Sequence, residues 1–348
     1  MIQSQHIPPN FSSLMKTFIL ITALLVIAPA LKAQYNTAPQ LAISQPSPQN
    51  FNLTWQSKNN RPYFLEGSPN LATWADASAV VIGNGGAKEI TLTNTAPKFF
   101  YRLREGAVRP GFNGISMSRE DDHTYPQYAV PGVEGNALKV DLGFTINFFG
   151  NLYDQCYVNN NGNISFDLPF KIFTPQPLGI LATKIVAPFW ADVDTRNEVS
   201  GVSRFTSGGE LVDNRSAFGV TYEDVGYFNR YGDKLNSFQL IIVERYDTGA
   251  NNFDIEFNYN KVLWDTTTSS EGQSARAGFT NGGTFSLELA GSGIPSTFLD
   301  RFAGLIYNSF NSNIPGRYIL HVRNGIVEGA FTVDAGPDQT LGENQSGS

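Results

Sequence analysis

The chain has 348 residues, 41% of them hydrophobic and 13% aromatic, with 33 glycines and 19 prolines, enough for a substantial core and for two domains of ordinary size. Its 24 basic residues stand against 31 acidic ones, a formal net charge of −7. With a pI near 5.1 and no run of Lys or Arg, nothing in the chain makes an electrostatic footprint for nucleic acid.

At the N-terminus, Met15 and Lys16 precede the apolar run Phe18–Ala28, and Pro29, Ala30, Leu31, Lys32 and Ala33 lead to Gln34. A positive start, a short apolar segment and small residues before the cut describe a secretory signal peptide over residues 1–33, with Met15 as an alternative start. The run is shorter than the roughly 20 apolar residues a bilayer-spanning helix needs. No later stretch is long and apolar enough either, so the expectation is a secreted or cell-surface protein with no transmembrane segment in this chain. Cys156 is the only cysteine, which rules out an internal disulfide; its apolar flanks predict a buried structural thiol.

Helical periodicity is almost absent. Short alternating stretches punctuated by Gly, Asn and Pro predict an all-β chain of sandwich modules. Residues 34–49, rich in Pro, Ser and Gln, read as a lead-in linker. Residues 50–106 then form a compact β unit. "FNLTW" sets Phe51, Leu53 and Trp55 on one face, "YFLEGSPNLATW" is a strand and a turn, "EITLT" is another strand, and "KFFYRLR" closes the unit. A larger β region follows from Pro110. In it, "NNNG" at Asn159–Gly162 marks a hairpin, because Asn-Gly tolerates positive φ. "NSFQLIIVERYDTGANNFDIEFNYNKVLW" reads as a second hairpin, with Phe253, Ile255, Phe257 and Tyr259 inward and Asp254, Glu256, Asn258 and Asn260 outward.

The segments "INFFGNLYDQCYVNNNGNISFD", "IVAPFWADVDTR", "ARAGFTNG" and "GRYILHVRNG", together with that second hairpin, resemble in order a nidogen-like (NIDO) domain over residues 110–325. The resemblance, to a family that includes exported bacterial proteins, implies an extracellular β-rich domain of adhesion and matrix proteins. It implies no catalytic chemistry and no agreed ligand residues. Residues 50–106 resemble a short fibronectin type III-like module, here a spacer. "VDAGPDQTLGENQ" resembles the start of a PKD-like repeat, so residues 326–348 read as a linker and the truncated opening of a further module of a longer multidomain chain.

The candidate chemistry centres on Ile185–Arg196, "IVAPFWADVDTR". Strand alternation places Trp190, Asp192 and Asp194 on one face, with carboxylates about 6–7 Å apart. Asp192 and Asp194, with Asn159 and Asn161 from the neighbouring hairpin, make an oxygen-donor candidate for Ca²⁺. The spacing departs from an EF-hand loop, because Arg196 takes the fifth position and Asn197 the place of the glycine. A structural role remains open as well, with Arg196 pairing Asp194 as a surface salt bridge. Trp190, Tyr227 and Tyr231 are candidate stacking surfaces for a ligand, the alternative being that aromatics here are core. His123 follows "REDD" in a loop that reads as solvated. No HExxH, GxSxG or P-loop occurs.

These observations favour a noncatalytic extracellular protein that binds a protein or glycan ligand in adhesion or matrix interaction. A calcium-dependent carbohydrate-binding protein is the alternative, and a glycoside hydrolase or other hydrolase comes third.

Overall fold

The computed structural model describes residues 40–58, 61–71, 74–96, 98–125, 138–266, 273–283, 285–300 and 304–328. The predicted signal peptide, the first part of the predicted linker and the PKD-like tail from residue 329 lie outside the described residues. The all-β expectation holds. Among the described residues, the helical pieces are single 3₁₀ turns at Leu178–Ile180 and Tyr246–Thr248.

Among the described residues the strands form four sheets. One has the order Ala42–Ser47, Asn50–Gln56, Ala87–Thr93, and a second centres on Pro62–Ser68, which pairs Ala75–Asp76, Val81–Ile82 and Phe100–Glu105. A six-stranded sheet runs in the order Ser286–Glu288, Arg276–Asn281, Lys184–Trp190, Asn163–Ser165, Asn151–Asn159, Val140–Phe148. The largest sheet runs Ile326–Glu328, Arg317–Arg323, Phe253–Lys261, Tyr231–Glu244, Arg215–Tyr227, Ser203–Val212, Ile115–Ser116, with Val193–Asp194 added on Arg215–Tyr227.

The chain divides into two compact units: residues 1–110, 258–262 and 299–318, and residues 111–257, 263–298 and 319–348. In the first unit the strands expected from "FNLTW", "YFLEG", "EITLT" and "FFYRLR" all form, and Leu53 and Trp55 are buried. Part of the stretch read as a linker is a strand instead. Ala42–Ser47 pairs antiparallel with Asn50–Gln56 across a tight turn, because the short Pro48–Gln49 connection brings the two runs together.

In the second unit the two larger sheets face each other across a ring-filled interior. Phe189 meets Phe238 at 5.1 Å between centroids, and Phe148 meets Phe253 at 6.4 Å. Each such side chain contributes roughly 1.5–3 kcal/mol on burial. The strand Lys184–Trp190 is covered on both faces, since Ile185, Ala187 and Trp190 also join Phe170, Leu178 and Leu181 in a separate apolar cluster. Cys156 is fully buried, as its flanks predicted.

The "NNNG" hairpin forms, with Asn159 paired to Asn163. Gly162 carries its positive φ of 74°, and a Cβ there would stand 1.8 Å from the Phe189 carbonyl oxygen. The second hairpin also forms, but its outward residues are not outward: Asp254, Glu256, Asn258 and Asn260 are all buried. Partners on the far face satisfy them. Asp254 is held by Arg245, His321 and Arg323, while the Asn258 side-chain oxygen accepts from Arg317.

Candidate functional site

The run Ile185–Arg196 is not one strand. It follows the six-stranded sheet to Trp190, turns, and enters the other sheet at Val193, where Val193 pairs Tyr227 and Asp194 pairs Gly226. The turn is a three-residue one centred on Asp192, closed by Val193 N–H donating to the Ala191 carbonyl at 2.9 Å. Alternation therefore breaks at the crossover, and Trp190, Asp192 and Asp194 do not share a face. Trp190 is fully buried, with its indole N–H on the Ile172 carbonyl and its ring edge-on to Phe170. That removes it from any surface platform.

Asp194 is also fully buried, and its two oxygens accept from four N–H groups of the protein. Arg196 meets it at two points, and the backbone N–H groups of Arg196 and Arg230 donate to its two oxygens at 2.9 Å each. Burial alone would raise its pKa, but these hydrogen bonds outweigh that and hold the carboxyl below its usual range. The predicted Asp194–Arg196 pair thus exists, and its acidic half is interior rather than at the surface.

The asparagines divide the work differently from the sequence expectation. Asn159 is saturated: its oxygen accepts from the Thr124 hydroxyl and Phe170 N–H, and its nitrogen donates to Asn163 and Ser165. An amide oxygen with both lone pairs used has nothing left for an ion. Asn161 acts as a brace. Its oxygen accepts Val193 N–H at 2.9 Å and its nitrogen donates to Asp122 Oδ1 at 2.8 Å. Asn160, between them, is buried; its nitrogen donates to the carbonyls of Val193 and Glu120, and its oxygen has no hydrogen-bond partner.

The loop read as solvated supplies the missing acids. Its backbone is stitched on both sides, Asp121 bridging to Asp194 and Thr124 to Asn159. Asp122 has a positive φ of 60°, a conformation Asp tolerates, and this turns the chain between two neighbouring carboxylates. Oxygens of Asp121, Asp122 and Asp192 converge within 4.8 Å of one another. Arg196 reaches Asp121 at 2.5 Å. Burial, followed by repulsion from Asp122 and Asp194, pushes the Asp121 carboxyl up to about 6 despite Arg196. Burial likewise raises Asp122 and the neighbouring Glu120. Arg119 lends these acids little, because its guanidinium is spent on the carbonyls of Thr195, Asn197 and Ser200. Nothing in the local sequence pairs residues 121–122 with residue 192, some seventy positions on. The one available signal was the density of acid in "REDD".

The crossover also anchors an aromatic hairpin tip. Phe228 N–H donates to the Asp192 carbonyl and Arg230 N–H to Asp194 Oδ2, on either side of the tip between Tyr227 and Tyr231. The two rings stack at 5.2 Å and 20°, with Tyr227 lying against Trp264 beneath. Burial and the neighbouring Asp233, which accepts its hydroxyl, push the Tyr227 phenol up to about 12. Tyr231 is 46% exposed. Of the three aromatic candidates, Tyr227 and Tyr231 come together and Trp190 does not.

Residues 154–324 match the nidogen-like domain family. Alpha-tectorin from Mus musculus is 28% identical over 218 residues, 54% of this chain and 10% of that protein. Nidogen from Drosophila melanogaster is 27% identical over 144 residues, 36% of this chain and 11% of that protein. Dendrite extension defective protein 1 from Caenorhabditis elegans is 26% identical over 257 residues, 68% of this chain and 19% of that protein. The chain therefore spans between 10% and 19% of the length of these curated relatives. No solved structure gives a significant match.

Proposed function

We propose, from the premise that residues 154–324 are a nidogen-like domain, that this protein is a noncatalytic extracellular module that holds a matrix or cell-surface ligand. The observation that carries the reading is the shared domain with alpha-tectorin and nidogen. One further feature supports it. The acids of the crossover are braced by backbone and amide groups rather than set across a cleft as a separated catalytic pair.

The contact surface in this reading is the Tyr227–Tyr231 tip. A stacked, half-exposed tyrosine pair on a braced turn offers contact area at low entropic cost. Residues 50–106 serve as a fibronectin type III-like spacer. A glycan ligand is the second reading, favoured by the exposed face of Tyr231.

Surfaces coated with the full chain and challenged with solubilised basement-membrane extract test the proposal. Saturable retention that free glycans do not compete supports a protein ligand, and full competition by a glycan moves the reading to the second. No retention from the extract and none on a glycan array defeats both.

A further inference from the structure

We infer that Asp121, Asp122 and Asp192 form a calcium site, with the side-chain oxygen of Asn160 as a fourth protein ligand. The inference goes beyond the ligand-holding role and does not depend on it.

Three carboxylates from two distant segments converge, and their ligand atoms lie within 4.8 Å of one another. Oxygens on opposite sides of a Ca²⁺ ion stand about 4.6–5.2 Å apart, given Ca–O distances of 2.3–2.6 Å. That ceiling admits Mg²⁺ as well, but Mg²⁺ demands near-ideal octahedral order and gives up its waters reluctantly, so a set of side chains from two loops suits Ca²⁺ better. The donors are all oxygen, which suits a hard cation.

Acidic clusters are common on protein surfaces, and the independent observation here is Asn160. It is 1% exposed, and its side-chain oxygen has no hydrogen-bond partner. The amide orientation is fixed, because the nitrogen faces two carbonyl oxygens, those of Glu120 and Val193. Those residues immediately precede Asp121 and follow Asp192, so the amide is wedged between the two segments that carry the carboxylates. A buried amide oxygen left without a compensating partner is destabilising. On an amide anchored to the residues next to Asp121 and Asp192, whose carboxylates are acceptors only, a cation is the partner that would satisfy it. Asp121 Oδ1 is in the same position, buried with no hydrogen-bond partner.

Arg196 does not take the place of the ion. It is shared between Asp121 Oδ2 and Asp194, which leaves Asp121 Oδ1 without a hydrogen-bond partner, while Asp122 Oδ1 accepts from Asn161. Bound calcium would pin the loop of residues 120–124 to the crossover that braces the Tyr227–Tyr231 tip.

The test is thermal unfolding of the full chain, in EDTA and in millimolar CaCl₂ or MgCl₂, with equilibrium dialysis against ⁴⁵Ca²⁺. The expected result is one ion per chain, a Tm raised by about 5 °C or more in calcium, and little response to magnesium. Asp122→Asn and Asp192→Asn should each weaken calcium binding at least tenfold, while Asp167→Asn, a surface carboxylate paired with Lys184, leaves it unchanged. If Asp192→Asn does not fold, Asp122→Asn decides alone, since Asp122 is partly exposed. A Tm indifferent to EDTA and calcium, no bound ⁴⁵Ca²⁺, or undiminished binding in Asp122→Asn would overturn the site.

Discussion

Asp194 and Arg196 are joined at two points, Nε to Oδ1 at 2.9 Å and a terminal nitrogen to Oδ2 at 2.6 Å, with the carboxylate fully buried. The same carboxylate accepts the Arg230 N–H and so ties the strand crossover to the tyrosine tip. Removing one partner of such a pair strands the other and leaves backbone donors unmet. Asp194→Ala should therefore cost about 3 kcal/mol, the low end for a buried pair because Arg196 keeps some access to water. Urea unfolding measures it. A loss below about 1 kcal/mol would reduce the pair to the surface type.

Gly162 is required for two reasons that act together, its φ of 74° and the Phe189 carbonyl 1.8 Å from where a Cβ would sit. Gly162→Ala should destabilise by about 2 kcal/mol or more, through left-handed strain and displacement of the central strand. Chemical denaturation of the purified variant reads this directly.

Trp190 and Tyr231 should separate cleanly. Trp190→Ala empties a fully buried site and should cost about 3–5 kcal/mol. Tyr231→Ala should change stability by less than about 0.5 kcal/mol yet weaken ligand retention roughly tenfold or more. Retention unaffected by Tyr231→Ala would move the contact surface away from the hairpin tip.

Acid sensitivity should trace in part to Asp254. Burial favours its neutral form, but hydrogen bonds from His321, Arg245 and Arg323 outweigh burial and lower its pKa in the folded state. The groups facing it are the Arg245 and Arg323 guanidiniums, the His321 imidazole and, beyond Arg245, Asp247. A depressed folded-state pKa gives stability that is present above the unfolded value of about 3.9 and is lost as pH falls through the folded one. Urea midpoints measured from pH 6 to pH 2 should fall on the acid limb, and the fall should be shallower in Asp254→Asn. An equal slope would assign the acid limb to other carboxylates.

Much of this architecture was legible from local rules. Period-two alternation located the strands of both units, and Asn-Gly located the Asn159–Asn163 hairpin. What local rules missed was set by distant contacts. Asp254, Glu256, Asn258 and Asn260 alternate as a solvent face would, yet they are buried, and arginines from the flanking strands of the same sheet partner Asp254 and Asn258. Ala191 and Asp192 carry no sequence mark of a strand leaving one sheet for another, so alternation was extended past the point where it holds. The asparagine run packs against the crossover, through the Val193 backbone rather than through the carboxylates expected. Which of its three members is braced, saturated or left with an unpartnered oxygen depends on partners up to forty residues away.

The most direct test of the central claim is a mass balance on captured ligand. The immobilised full chain is incubated with the matrix components and polysaccharides it retains, and the eluted material is compared by mass spectrometry with the input. The account predicts that whatever binds comes back chemically unchanged, at any incubation time. Shortened chains or new termini that accumulate with time, and vanish in Asp192→Asn while binding persists, would contradict it.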